Sequence, residues 1–168
     1  MRPLFLSAAA GLTILLATAT QAGWFLNQEQ EAYGHLQAGD FEQAAAGFTD
    51  SYRRGVALFR AGRYQEAANA FSRVDRSAVQ EDAHYNLGNA RFKLGDYAGS
   101  VAAYEQVLSA DPAHEDAQHN LTLARALLAR LEQEAYEEEK KKQEEKEAEE
   151  QRKQEEEREK QEQEQEQQ

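Results

Sequence analysis

The stretch that decides the fold is residues 81–114, EDAHYNLGNARFKLGDYAGSVAAYEQVLSADPAH. Helix-forming residues dominate it, and nowhere does it alternate between apolar and polar residues as a half-buried strand would. Gly95 divides the stretch, and glycine suits a helix end because a left-handed residue there has no Cβ to clash. We therefore predict two helices joined by a glycine turn.

The same pattern occurs twice more upstream. It begins at Gly39, Gly62 and Gly95, and each of these glycines precedes an aromatic residue by two positions, a small residue by five and an aromatic residue by nine. A lone helix pair cannot bury its apolar face, whereas stacked pairs share one core. The predicted fold class is all-α, with about two and a half helical hairpins in residues 24–114: 25–50 (degenerate, its second helix shortened), 48–80 and 81–114.

Residue size predicts the contacts within each hairpin. Small side chains on both helices let the two backbones approach closely, and an aromatic side chain on the second helix fills space toward the neighbouring helix. The predicted packing sets are Ala32 with Ala44 and Phe48, Gly55 with Ala67 and Phe71, and Gly88 with Ser100 and Tyr104.

Apolar residues at spacings of four and three predict a capping helix over residues 115–135, with one apolar stripe facing the last hairpin. The stripe consists of Ala117, Leu121, Ala124, Leu128, Leu131 and Ala135. Asp111 is the predicted N-cap and Pro112 the first helical residue. A carboxylate can accept hydrogen bonds from the unpaired amides of the first turn, and proline is tolerated there because its missing N–H donor is not needed.

The remaining residues, 136–168, form an acidic tail rich in Glu, Lys and Gln. Residues 132–168 carry 17 acidic and 8 basic side chains, a balance of −9 out of the chain's −12. A coiled coil is disfavoured, since the apolar stripe gives way to charged residues such as Glu138 and Lys142. Opposite charges one turn apart, as in that pair, favour an isolated helix. We expect either a charged helix from Glu115 to about Lys160, roughly 70 Å long, or a disordered tail.

Residues 1–22 have the three parts of a secretory signal peptide. A positive start at Arg2 precedes an apolar run, and the small residues Thr20 and Ala22 precede a possible cleavage site. The alternative is a membrane anchor that is retained. Both predict an exported protein, either periplasmic or held in the inner membrane facing the periplasm, so membrane association would come from this segment.

Composition and spacing argue against several classes of function. The chain has no cysteine, which excludes disulfides, thiolate nucleophiles and cysteine-based metal sites. Its acidity makes nucleic-acid binding improbable. His114 and His119 are five positions apart, which places them about 140° apart around a helix and prevents them from sharing a metal. No phosphate loop or nucleophile elbow occurs, so we predict no enzyme activity, no cofactor and no metal.

Residues 81–114 resemble a complete tetratricopeptide repeat that ends in Asp111-Pro112, and residues 48–80 resemble a second copy. The combination of WFLNQ (24–28), AAAGF (44–48), RGVALFRAG (54–62) and YNLGNA (85–90) is similar to the repeat region of Bat (Bacteroides aerotolerance) proteins of the BatB and BatC type. Relatives in that family carry a von Willebrand factor A domain and a membrane helix before the repeats. The segment before Trp24 is too short to hold them, so we expect a stand-alone repeat member.

The resemblance implies a scaffold that binds a protein partner in the concave groove lined by the first helix of each repeat. The predicted groove residues are Tyr52, Arg53, Val56, Phe59, Arg60, Asp82, Tyr85, Asn86, Asn89 and Lys93. The full set of Lys, Arg and Asn with which some such repeats hold a peptide carboxylate is not present. The implied partners are membrane proteins with von Willebrand factor A domains in a stress-tolerance system. The alternative function is a structural spacer, in which the charged helix sets a distance.

Overall fold

The computed structural model describes residues 27–166, and every regular element in that range is helical. The predicted signal peptide or anchor over residues 1–22 lies outside the described residues. Between 27 and 166, no helix combines the length and the apolar character that crossing a membrane requires. The elements are α1 (27–38), α2 (Phe41–Gly47), α3 (Ser51–Arg60), α4 (Tyr64–Phe71), a 3₁₀ turn (Ser77–Val79), α5 (Gln80–Leu94), α6 (Tyr97–Ala110) and α7 (Glu115–Glu166). The predicted all-α class is confirmed.

Each hairpin turns at a glycine in the left-handed region. Gly39, Gly62 and Gly95 have φ values of 88°, 75° and 78°, which other residues adopt at a steric cost. After the third turn, the Asp96 side chain accepts a hydrogen bond of 2.9 Å from the Gly99 amide and so caps the start of α6. The predicted sequence of helix, glycine turn and helix is therefore confirmed.

The contact between the two helices of a hairpin depends on a missing side chain opposite an aromatic ring. A Cβ atom on Gly88 would lie 2.5 Å from Cε1 of Tyr104, and one on Gly55 would lie 2.6 Å from Cε1 of Phe71. Both rings are buried, so they have no room to withdraw. The glycines thus make room for a ring of the second helix as well as for its backbone.

In the first hairpin, a different residue makes room for the contact between the two helices. Ala32 occupies the place of the glycine there, and Ala44 and Phe48 are buried with it. The space comes from Gly47, where a Cβ atom would lie 2.8 Å from Cβ of Ala32. This second small residue compensates for the methyl group of Ala32.

Two clusters of buried side chains form the core of the unit that ends at Ala124. The larger one joins α1 to α6 around Leu58, Phe71 and Leu87. The smaller one joins α6 to the beginning of α7 through Tyr104, Val107, Ala117, Leu121 and Ala124. The first turns of α7 therefore cover the last hairpin, as expected of a capping helix.

The predicted N-cap, Asp111, and the predicted first helical residue, Pro112, were wrong, because α7 begins at Glu115. Asp111 ends α6, where its amide donates to the Val107 carbonyl, and its carboxylate accepts from the Ala113 amide at 2.9 Å. The side chain is therefore used in the turn between the helices. His114 caps α7 instead, since its Nδ1 accepts a hydrogen bond of 3.2 Å from the Ala117 amide.

The second unit consists of Arg125 onward and is helical as far as Glu166. The helical alternative for the tail is confirmed, and the helix continues past Lys160, the end predicted from the sequence. Ion pairs one turn apart line it, including the predicted pair of Glu138 with Lys142 and a further pair of Glu149 with Lys153, each at 2.5 Å. At 1.5 Å per residue, this unit is about 63 Å long.

Candidate functional site: the first-helix groove

Three helices line one surface of the first unit, and we call this surface the first-helix groove. It is formed by α3, α5 and the part of α7 before Arg125. Tyr52 on α3 accepts a hydrogen bond of 3.4 Å from Nδ2 of Asn86 on α5, and Phe59 lines the same pocket as Phe92. Residues late in α3 thus meet residues late in α5, so the two helices run in the same direction and present equivalent positions.

Hydrogen bonds between tyrosine and asparagine side chains connect the neighbouring helices of the groove. The pairing of Tyr52 with Asn86 recurs one repeat later, where Nδ2 of Asn120 donates to the Tyr85 hydroxyl at 3.3 Å. In each pair an amide of one repeat donates to a phenol of the preceding repeat. These bonds fix the lateral spacing of the helices and leave the aromatic faces partly accessible.

Asn89 lies at the centre of this hydrogen-bonded network. Its Oδ1 accepts from the Tyr104 hydroxyl at 2.7 Å and from Nδ2 of Asn120 at 3.1 Å. Burial raises the pKa of the Tyr104 hydroxyl to about 12, so this group remains a donor over the ordinary pH range. Burial, and to a smaller extent the charge of Asp82, also raises the pKa of Tyr52. The groove floor is therefore a neutral hydrogen-bonded network.

A depression of about 230 Å³ opens beside this network. Six uncharged side chains and one lysine line it: Phe59, Asn89, Phe92, Tyr104, Asn120, Leu123 and Lys93. Leu123 is 43% exposed although it is a large apolar side chain. The depression can thus receive an apolar group, with an amide network on one side and a cation at its edge.

The structure places most of the predicted groove residues on this surface. Tyr85 is half-buried, with its ring 6.0 Å from that of Tyr104. Phe59 packs edge-on against Tyr64 at 5.2 Å and also lines the depression, so it combines a packing role with partial exposure. That these residues bind a partner stays a prediction.

Arg60 and Lys93 occupy equivalent positions at the C-terminal ends of α3 and α5. Both are exposed, and neither forms an ion pair with a carboxylate of the described residues. Each directly follows a phenylalanine of the depression, Phe59 or Phe92. At this end of the groove, two cations therefore have no ion-pair partner among the residues that the structure describes.

Arg53, by contrast, is engaged within the chain. Its guanidinium forms an ion pair of 3.1 Å with Glu29 of α1. The same carboxylate accepts from the Thr49 amide at 2.7 Å, the Thr49 hydroxyl at 2.5 Å and the Asp50 amide at 3.2 Å. Burial on its own would raise the pKa of Glu29, but these hydrogen bonds and the one from Arg53 outweigh it and lower the pKa. Arg53 thus helps to hold α1 against α3.

Sequence reasoning missed three residues of the groove: Phe92, Asn120 and Leu123. A signal for two of them was present, because Phe92 follows Phe59, and Asn120 follows Asn86, at the spacing of one repeat. Asn120 lies in the segment for which the sequence predicts only a capping helix. The first turns of α7 serve as a third first helix as well as a cap.

The described residues include no group of three or more His, Asp or Glu side chains arranged to hold a metal ion. His114, one of the two histidines considered for such a site, stacks on Tyr85 with ring centroids 5.0 Å apart and caps α7. Both contacts assign it a structural role.

Comparisons with known proteins agree with this architecture. The Hsp70-Hsp90 organizing protein of Triticum aestivum is 33% identical over 115 residues, which cover 60% of this chain and 20% of that protein. The chain thus spans about a fifth of that relative's length. One similar solved structure is the first tetratricopeptide-repeat domain of Spaghetti (RPAP3) bound to the HSP90 peptide SRMEEVD, with a TM-score of 0.56 and 21% identity over 62% of this chain and 93% of that one. Another is the second such domain of human RPAP3 in complex with the HSP70 peptide SGPTIEEVD, with a TM-score of 0.52 and 20% identity over 60% of this chain and 93% of that one.

These structures share the fold with this chain. The sequence model of the tetratricopeptide repeat matches residues 52–115 and 85–141, which together make up more than half of the chain. The stacked hairpins and the glycine turns are the structural counterpart of that match. The protein belongs to the tetratricopeptide-repeat family.

Proposed function

We propose that this protein is a non-enzymatic scaffold that binds an extended segment of a partner protein in the first-helix groove. The observation that carries the proposal is the recurrence of equivalent side chains one repeat apart on a single surface: Tyr52 and Tyr85, Phe59 and Phe92, Arg60 and Lys93. An extended peptide presents side chains at a regular spacing, which such a surface can match.

The comparisons support a peptide as the type of ligand. Both RPAP3 domains are described with a short chaperone peptide bound, and the repeat is a protein-interaction module. Identity to those domains is about 20%, so the resemblance supports the class of ligand and leaves its sequence to be found.

We further propose that the protein acts outside the cytoplasm, with membrane proteins that carry von Willebrand factor A domains as partners. Support comes from the signal-like residues 1–22 and from the Bat-like sequence around the repeats. Sequencing the N-terminus of the mature protein tests the export proposal, since cleavage after Ala22 would leave Gly23 as the first residue.

Site-specific crosslinking in native membranes tests the groove and the partner together. An apolar photoreactive residue in place of Leu123, which lines the depression, should crosslink to a partner, and mass spectrometry should assign the crosslink to a protein with a von Willebrand factor A domain. The control position is Arg73, an exposed residue outside the groove. Equal crosslinking from both positions would contradict binding in the groove. Crosslinking to a protein without a von Willebrand factor A domain would overturn the proposed class of partner.

The helix of the second unit, which continues to Glu166, favours a second candidate, a spacer that sets a distance between molecules. Deletion of residues 137–168 separates the two functions. The scaffold should still bind its partner after the deletion, whereas a spacer should lose its function although the repeats remain folded.

A further inference from the structure

We propose that the C-terminal end of the first-helix groove is a subsite for an acidic segment with a bulky apolar side chain. The subsite would recognise side chains within the segment and would not require a free chain terminus. This inference rests on the proposed function and adds to it the chemistry of the partner segment.

The apolar part of the preference comes from the depression of about 230 Å³ beside Phe59, Phe92 and Leu123. This volume fits one large side chain, and Leu123 is 43% exposed there. Covering it with a leucine or methionine of the partner would remove apolar surface from water on both molecules, which favours binding.

The acidic part of the preference comes from Arg60 and Lys93. They lie one repeat apart at equivalent helix ends, and neither is neutralised by an ion pair with a described carboxylate. The opposite end of the groove differs, because Arg53 is paired with Glu29 and the charge of Asp82 acts on Tyr52. These charges make the end of the groove near the depression more favourable to an acidic ligand than the end near Tyr52.

The lining of the depression argues for recognition within a segment. A terminal carboxylate buried there would find one cation, Lys93, among six uncharged side chains, and burying a charge with so little compensation is costly. Oδ1 of Asn89 is occupied by Tyr104 and Asn120, but its Nδ2 makes no hydrogen bond to a described residue. This amide can donate to a backbone carbonyl of a passing segment.

Fluorescence anisotropy with the full chain tests the proposal. The probes are labelled, C-terminally amidated peptides: Gly-Glu-Glu-Leu-Glu-Glu-Gly, the same peptide with Ser in place of Leu, and versions in which Lys or Gln replaces every Glu. We expect the acidic leucine peptide to bind at least about tenfold more tightly than the serine and lysine versions. A free C-terminal carboxylate on the same peptide should change its affinity less than about twofold.

Variants connect the binding to named residues. Lys93→Glu should weaken binding of the acidic leucine peptide about fivefold or more and strengthen binding of the lysine version. Arg73→Glu, with the same change of charge outside the groove, should alter neither. Phe92→Ala should weaken binding, whereas Leu94→Ala, which removes an exposed apolar side chain outside the depression, should not.

The outcomes distinguish this inference from the proposed function. Equally tight binding of the lysine or glutamine version, or a large gain from the free carboxylate, would overturn the inference while leaving groove binding intact. If no peptide binds but position 123 still crosslinks to a partner, the inference also fails and the proposed function survives. If neither binding nor crosslinking occurs, both fail.

Discussion

The hydroxyl of Ser100 donates a hydrogen bond of 2.9 Å to the carbonyl oxygen of Gly88, in the buried interface between α5 and α6. The bond satisfies the hydroxyl of Ser100, which is fully buried. It lies next to the point where the ring of Tyr104 covers the Cα atom of Gly88. The hydrogen bond and the ring contact together set the separation of the two helices in this hairpin.

Gly88→Ala should therefore destabilise the protein. The added Cβ atom would lie 2.5 Å from the buried ring of Tyr104, and overpacking of this kind costs about 1–3 kcal/mol. Urea unfolding followed by circular dichroism measures the free energy. Gly34→Ala is the matched control, since its Cβ atom meets nothing within 4 Å and alanine favours a helix. A similar loss in both variants would contradict the steric explanation.

Glu29 should make stability depend on pH. Its pKa in the folded protein is lowered from 4.5, so its contribution is complete above that value and disappears as the pH falls through the folded-state pKa. The difference in unfolding free energy between wild type and Glu29→Gln should be largest at neutral pH and shrink as the pH falls below 4.5. Glu31→Gln, on an exposed residue of the same helix, is the control. A difference that does not change with pH would refute this role of the carboxylate.

His114 should matter to the start of α7 through its ring. His114→Ala removes the cap on the Ala117 amide and the stacking on Tyr85, and loss of a cap costs about 0.5–2 kcal/mol. His114→Asn should restore part of this loss, because asparagine is a good N-cap. Urea unfolding measures both variants. No loss in the alanine variant would show that the cap is dispensable.

Ion pairs should stabilise the helix of the second unit. The double variant Glu138→Lys with Glu149→Lys replaces two attractive pairs with like charges one turn apart, so amides near these positions should exchange with deuterium faster. Hydrogen exchange with mass spectrometry locates the effect. Glu132→Lys is the control, because none of the residues three or four positions away from it is charged. Unchanged exchange in the double variant would mean that helix propensity alone maintains this segment.

The groove was predictable only in part. Tyr85, Asn86 and Asn89 could be placed on one side of α5, and Tyr52 at the equivalent position of α3, because helical spacing is a local property of the sequence. The cap of α7 could not be assigned in this way. Asp111 has the chemistry of an N-cap, but its carboxylate forms a hydrogen bond with the Ala113 amide, in the turn.

The sequence by itself determined the helices, their glycine turns and the small residues opposite aromatic ones, because these follow from backbone preferences and side-chain size. Only the tertiary structure decided which cations are free: Arg53 meets Glu29 of a different helix, whereas Arg60 and Lys93 meet no described carboxylate. Likewise, only the tertiary structure brings Phe59, Phe92 and Leu123 together around one depression. Charge compensation and cavities depend on side chains that are distant in sequence, and their positions are set when the hairpins stack.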